Sequence, residues 1–187
     1  TAAYAQISQE CTAMKNRHEA AKDSEVREVF KNIIRHLQTQ LKTLKTQIQK
    51  QTQTPQYRPQ IKRLETIPAI GRLTAAVLLQ YLTTADFPTP NKFAAFAGLS
   101  PQQKQSGTSV KGKEKITRYG NRKLRTALFM PAMVAYRMKA FPAFISRLEA
   151  KNKPKKVIIG AIMRKLAVIA YHVHTKGEDY DPTRYAA

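Results

Sequence analysis

From Phe30 onward an apolar residue returns every three or four positions: Phe30, Ile34, Leu37, Leu41, Leu44 and Ile48. This alternation of fours and threes is the a/d rhythm of a coiled-coil seam. Upstream, Arg27 and Asp23 continue the register with polar residues, so the seam is expected to weaken towards the N-terminus. The remaining faces carry Lys, Gln and Thr, and neither Gly nor Pro occurs before residue 53. Three arrangements meet this pattern: a helix packed on its own domain, a dimerising seam, and an antiparallel hairpin turning at Lys22–Ser24. Residues 1–54 are therefore read as a coiled-coil helical region.

The stretch QTQTPQYRPQ, Gln51 to Gln60, breaks the rhythm with two prolines and sets a domain boundary. Helical spacing resumes with Ile61, Leu64 and Ile67 before Pro68, then with Leu73, Val77, Leu78, Tyr81 and Leu82. A turn is predicted at DFPTP, Asp86 to Pro90, with Asn91 as the cap of a short helix that Gly98 ends. A longer helix follows from Asn121, with Leu124, Ala127, Leu128 and Met133 on its apolar face and Pro131 as a kink. Pro142 and Pro154 each open a further helix, Ala143–Lys151 and Lys155–His174. Only GTSVKGKEKIT reads as a small hairpin. The expected fold is all-α, with a helical domain at 61–175 and a tail at 176–187.

Charge changes this picture from architecture to partner. Thirty-three Lys and Arg face twelve Asp and Glu, giving a net charge of +21. Between Lys104 and Lys165 seventeen cations stand against Glu114 and Glu149 alone. Solvated faces usually intersperse the two signs, so this asymmetry points to a polyanion bound through its backbone. Membrane binding is the weaker reading. No run is expected to approach the ~18 apolar residues of a spanning helix, and the N-terminus has no signal pattern. A single cysteine, Cys11, allows no internal disulfide and fits an intracellular setting.

Two stretches carry candidate chemistry. TIPAIGRLTAA, Thr66 to Ala76, has the form of a helix-hairpin-helix. In such a motif a tight, small-residue turn exposes amides at the start of the second helix, which can hold a phosphate. Ile70, Gly71, Arg72 and Thr74 are the binding candidates, and Ala69 stands where the motif usually has its first Gly. The basic segment adds Lys104, Gly107, Lys111, Lys113, Lys115, Arg118, Asn121, Arg122, Lys123 and Arg125, with Tyr119 among them as a possible base-stacking or packing residue. His172 and His174 fall on different helix faces, no separated carboxylate set suggests a two-metal nuclease, and no metal ligand is assigned.

Taken together, TIPAIGRLTAAVLLQYL and FPTPNKFAAFAGLSPQQKQSGTSVKGKEKITRYGNRKLRTALFMPAMVAYR resemble the C-terminal domain of insertion sequence 110 family transposases. These are the bridge-RNA-guided transposases, related to pilin-gene invertases. The order IPxIG, TAA, AGLxP, SG, GN, LR carries the resemblance, and Arg164–Leu166 fits it too. It covers about residues 61–172, and residues 1–52 resemble the coiled coil that precedes this domain. The resemblance implies site-specific DNA recombination, with Ser106 of the Ser106-Gly107 pair as the nucleophile. It also implies DNA and a guide RNA as partners, a homo-oligomer formed through the coiled coil, and a bacterial or archaeal cytoplasm with nucleoid association.

In that family an RNase H-like half carries the metal-binding acids. The chain resembles the part without them, a C-terminal fragment or a shortened relative. No cofactor is expected in this chain, and Mg2+ only where an RNase H-like domain accompanies it; alone, the chain is expected to be inactive. The alternatives are a non-catalytic nucleic-acid-binding module and an RNA-binding scaffold, for which charge alone speaks.

Overall fold

The computed structural model describes residues 1–102, 105–106, 110–111, 115–117 and 119–185, and of 105, 106, 110, 111 and 115 the backbone only. Two compact units divide at Tyr57 and Arg58. The described residues form eight α-helices and two ladders of two residues each, so the chain is all-α as its periodicity predicts.

The first unit pairs α1, Ala2–Ala20, with α2, Ser24–Thr52. Asp23 ends the short connection and caps α2, its carboxylate accepting from the amides of Glu25 and Val26 at 2.8 and 3.1 Å. The chain forms the hairpin, one of the three arrangements left open by the sequence. All six seam residues from Phe30 to Ile48 are half-buried, while their neighbours around α2 are exposed. On α2 the seam fades upstream as expected, Arg27 and Asp23 being exposed, but α1 supplies a facing stripe that the sequence did not reveal. Tyr4, Ile7, Cys11, Met14 and His18 repeat at threes and fours and are the shielded positions of α1, with Cys11 buried. Their mixed chemistry hid the register, because a thiol, a phenol and an imidazole do not read as one apolar stripe.

The second unit packs α3 (Arg58–Glu65), α4 (Arg72–Thr84), α5 (Pro90–Phe96), α6 (Arg122–Arg137) and α7 (Pro142–Ala150) around or beside α8 (Lys155–Lys176). Pro59 sits in the first turn of α3, where its missing N–H leaves no bond unmade. Ile158, Ile162, Leu166, Ile169 and Val173 of α8 join Leu124 and Leu128 of α6, Phe93 of α5 and Leu78 of α4 in one core. By length and composition α8 is apolar enough to cross a membrane, against the expectation from the sequence. In the fold, eight of its residues are buried, and the helix packs on α6, α5, α3, α4 and α7.

Local punctuation mostly follows the sequence. Thr89, not Asn91, caps α5, its hydroxyl accepting from the Lys92 amide. Pro90 takes the next position, and this displaces Asn91 into the helix. Gly98 ends α5 with φ 71°, and the Leu99 amide reaches back to the Ala94 carbonyl at 3.0 Å. Pro131 lies inside α6 and is buried.

The segment after Lys176, read from sequence as a tail, is instead packed down. Tyr180 and Tyr185 stack on each other at 5.6 Å and lie against the core. Tyr185 meets His172 at 3.0 Å, and the Tyr180 amide donates to Thr66 Oγ1 at 2.8 Å. Two aromatic rings in a short polar segment outweigh the solvation that its acids suggested.

Ala69 occupies the left-handed region, φ 66°, a conformation that costs a residue with a Cβ about 1 kcal/mol. Ala69→Gly is expected to raise the unfolding free energy in urea by up to about 1 kcal/mol. No gain, or a loss, would remove the strain assigned to this turn.

Candidate nucleic-acid interface

Two of the sequence candidates meet at the hairpin base. β1 (Pro101–Gln102) pairs with β4 (Lys115–Ile116), and β2 (Gln105–Ser106) pairs with β3 (Val110–Lys111), both antiparallel. The hairpin thus begins six residues before the GTSVKGKEKIT stretch, and Ser106 lies in a strand arm opposite Val110. Lys104, Gly107, Lys113 and Arg118 lie outside the described residues, and of Lys111 and Lys115 only the paired backbone is described.

The base of this hairpin is fixed on both sides. On the incoming side Arg164 of α8 donates to Asn91 Oδ1 at 2.8 Å, to the Leu99 carbonyl at 3.4 Å and to Ser100 Oγ at 3.5 Å. Arg125 of α6 donates to the Ala97 carbonyl at 3.0 Å. On the outgoing side the Thr117 amide donates to the Ser100 carbonyl at 2.9 Å, and the Asn121 amide to Phe96 at 2.6 Å. Between them Gly120, at φ 151°, runs so close to α5 that a Cβ would stand 2.5 Å from the Phe96 carbonyl oxygen and 2.6 Å from the Gly98 nitrogen. Only a residue without a side chain fits there.

These contacts sort the cations of the segment into two groups. Arg125, a sequence candidate for nucleic acid, is half-buried and turned to a protein carbonyl. Asn121, another, uses its side chain to cap α6 at the Leu124 amide, 2.9 Å away. Lys165 lies over the Phe144 ring at 4.6 Å, and burial followed by the nearby Arg147 charge holds its ammonium below the usual lysine range. Arg122 and Lys123, by contrast, are exposed in the first turn of α6, shortly after Tyr119, which is 81% exposed. Arg164, Asn91 and Gly120 are not among the residues that the sequence singles out for the site. The partners of Arg164 lie 64 to 73 residues away, beyond any local pattern.

The second candidate is the turn between α3 and α4. Ile70 is buried, so its side chain serves the core. Arg72 pairs with Glu65 at 3.1 Å across the turn. Gly71 is exposed, and a Cβ there would meet no protein atom within 4 Å. The amides of Arg72, Leu73 and Thr74 open α4 without an intrahelical acceptor. Among the described residues no three His, Cys, Asp or Glu side chains are grouped to hold a metal ion.

Residues 61–148 match the family model described as transposase IS116/IS110/IS902 family. The chain carries a domain of the IS116/IS110/IS902 transposase family. The matched span includes the α3–α4 turn, the hairpin and α6. The pilin gene-inverting protein of Moraxella lacunata is 40% identical over 131 residues, covering 68% of this chain and 41% of that protein. A 43.6 kDa protein of insertion element IS110 from Streptomyces coelicolor is 36% identical over 124 residues, 63% of this chain and 29% of its own length. A putative transposase of Sinorhizobium fredii, y4pF/y4sB, is 32% identical over 155 residues, 78% of this chain and 38% of its own length. The chain therefore spans about two fifths or less of the length of these relatives.

Arg164, on α8 beyond the matched span, is expected to hold the hairpin base. Arg164→Ala removes a charged donor from three acceptors and should destabilise the domain by about 1–3 kcal/mol. Hydrogen exchange of the Thr117 amide, bonded to Ser100, should quicken more than that of the α6 and α8 core. Unchanged exchange at Thr117 would show that the guanidinium does not secure the base.

Proposed function

We propose that the chain is the serine-bearing, nucleic-acid-binding part of a DNA recombinase, with Ser106 as the nucleophile. The observation that carries this is the position of Ser106 on a hairpin whose base is locked to α5, α6 and α8 inside the family domain. A locked base limits the volume a nucleophile samples, and orientation is a large part of what such a residue needs. The Ser106 hydroxyl oxygen attacks a DNA phosphorus, the bond to one sugar oxygen breaks, and that oxygen leaves with a proton. The new serine–phosphate ester keeps the bond energy, so a second sugar hydroxyl can reverse the attack and join a different strand.

Phosphate charge has to be offset while this happens, and the exposed Arg122 and Lys123, shortly after Tyr119, support that reading. The Gly71 turn supports it as well, since nothing in the protein occupies the space above its backbone. Among the described residues no three His, Cys, Asp or Glu side chains are grouped. No step is assigned to a metal ion in this chain, and Mg2+ is expected only where an RNase H-like domain accompanies it. A guide RNA is the expected second partner, in keeping with the +21 charge.

Self-association through the first unit completes the proposal, because exchange between two duplexes needs more than one nucleophile. Val26, Val29 and Ile33 form a second, exposed apolar stripe along α2, outside the hairpin seam. Ile33→Glu is expected to shift sedimentation at micromolar concentration towards the monomer. A wild-type chain that sediments as a monomer, with and without nucleic acid, would contradict this part.

The nucleophile is tested by Ser106→Ala in a recombination-competent protein carrying this domain. Recombination should fall by at least about three orders of magnitude, as expected on losing a covalent nucleophile, while DNA binding stays within a few-fold. Normal recombination by the Ala variant would leave the non-catalytic binding module as the reading.

A further inference from the structure

The lysines at the elbow between α7 and α8 take no part in the hairpin or its mount. Lys151, Lys153, Lys155 and Lys156 are all exposed, and none is in an ion pair with a described residue. Glu149, the nearest acid in sequence, accepts a hydrogen bond from the Tyr136 hydroxyl at 3.0 Å. The elbow has a fixed shape: Asn152 sits at φ 51°, and the Lys153 amide returns to the Leu148 carbonyl at 3.1 Å. Lys155 and Lys156, which follow Lys151 at the C-cap of α7 and Lys153 in the connection, lie in the first turn of α8, at the positive end of its dipole, with no acid in that turn and no capping side chain. Cations belong at the other end of a helix, so this arrangement works against the fold.

A second feature lies on the same helix. Gly160 sits inside α8, where a glycine weakens a helix relative to alanine. Packing does not require it, because an added Cβ would meet no protein atom within 4 Å. Counting by fours, Lys156, Gly160 and Arg164 share one face of α8. From Lys156 that face runs about 12 Å to Arg164, at the hairpin base. The line thus starts at unpaired lysines, passes a cleared position, and ends at the mount of Ser106.

We propose that the elbow lysines and the Lys156–Gly160–Arg164 face form a second contact for a nucleic-acid phosphodiester backbone, continuous with the site at the hairpin. Two observations with no internal explanation, uncompensated charge and an unneeded helical glycine, share this partner. A backbone lying along the face neutralises the lysines and uses the open space at Gly160. The surface lies at residues 151–164, beyond the matched span 61–148. It rests on the proposal that the chain binds nucleic acid, and its test separates the two.

The test is the salt dependence of binding by the whole 187-residue chain, read by fluorescence anisotropy on a labelled DNA duplex and, in parallel, a labelled RNA hairpin. Replacing Lys151, Lys153, Lys155 and Lys156 by Gln should lower the log–log salt slope on the duplex by up to about 3.6, near 0.9 for each phosphate that the chain no longer neutralises. Affinity near 0.1 M salt should fall roughly ten- to a hundredfold. A loss confined to one arm assigns the backbone to DNA or to RNA, and a loss in both assigns it to either.

An unchanged slope in both arms overturns the proposal. If Arg122→Gln with Lys123→Gln weakens binding while the elbow variant does not, the hairpin site stands and the elbow falls. A wild-type chain that binds neither probe overturns both. Gly160→Gln should melt no lower than wild type and bind several-fold more weakly; unchanged binding removes the α8 face from the contact.

Discussion

The passage of Gly120 across Phe96 and Gly98 is the constraint on which the second unit depends. A hypothetical Cβ within 2.6 Å of two backbone atoms means that α5 and the segment entering α6 touch backbone to backbone. This contact closes the hairpin that carries Ser106. It also sets Asn121 to cap α6, which begins one residue later and supplies Leu124 and Leu128 to the core. Arg125 and Arg164 strengthen the closure from α6 and α8. Packing, capping and the presentation of the serine therefore rest on one glycine crossing. The hydrophobic core beneath it makes the platform stiff, since eight residues of α8 are buried against neighbouring helices.

Charge follows a different logic from the core. A chain of +21 repels itself, and the fold relieves only part of that by internal pairing. Arg125, Arg164, Arg72 and Lys165 are engaged by protein carbonyls, a carboxylate or aromatic rings. Arg122, Lys123 and the elbow lysines are left facing solvent. Of the engaged cations, Arg125 and Arg164 build the mount, and the outward ones are the proposed contacts for a polyanion. The division explains why a raw count of basic residues overstates the binding surface.

Much of the architecture was legible because it obeys short-range rules. The α2 seam from Phe30 to Ile48, the proline-opened helices and the Gly98 helix end follow periodicity and caps. What escaped depends on contacts distant in sequence or on mixed chemistry. Cys11, Met14 and His18 hold a heptad that no hydropathy pattern reveals, and the 176–187 segment is anchored by Tyr180 to Thr66, 114 residues away. At the proposed site, Ser106 is singled out by the family resemblance alone, since a Ser-Gly pair in a basic stretch has no spacing of its own. Arg164 and Gly120 were out of reach, because a clamp and a close approach exist only once α5, α6 and α8 have met.

The central claim is that Ser106 is the atom-bearing residue of a covalent exchange on DNA. It is tested most directly by trapping the protein–DNA adduct in a recombination-competent protein carrying this domain, then mapping the modified peptide by mass spectrometry. The account predicts a nucleotide esterified to Ser106, within the hairpin between Pro101 and Ile116. A nucleotide on another residue, or efficient recombination with no adduct at any stage, would contradict it.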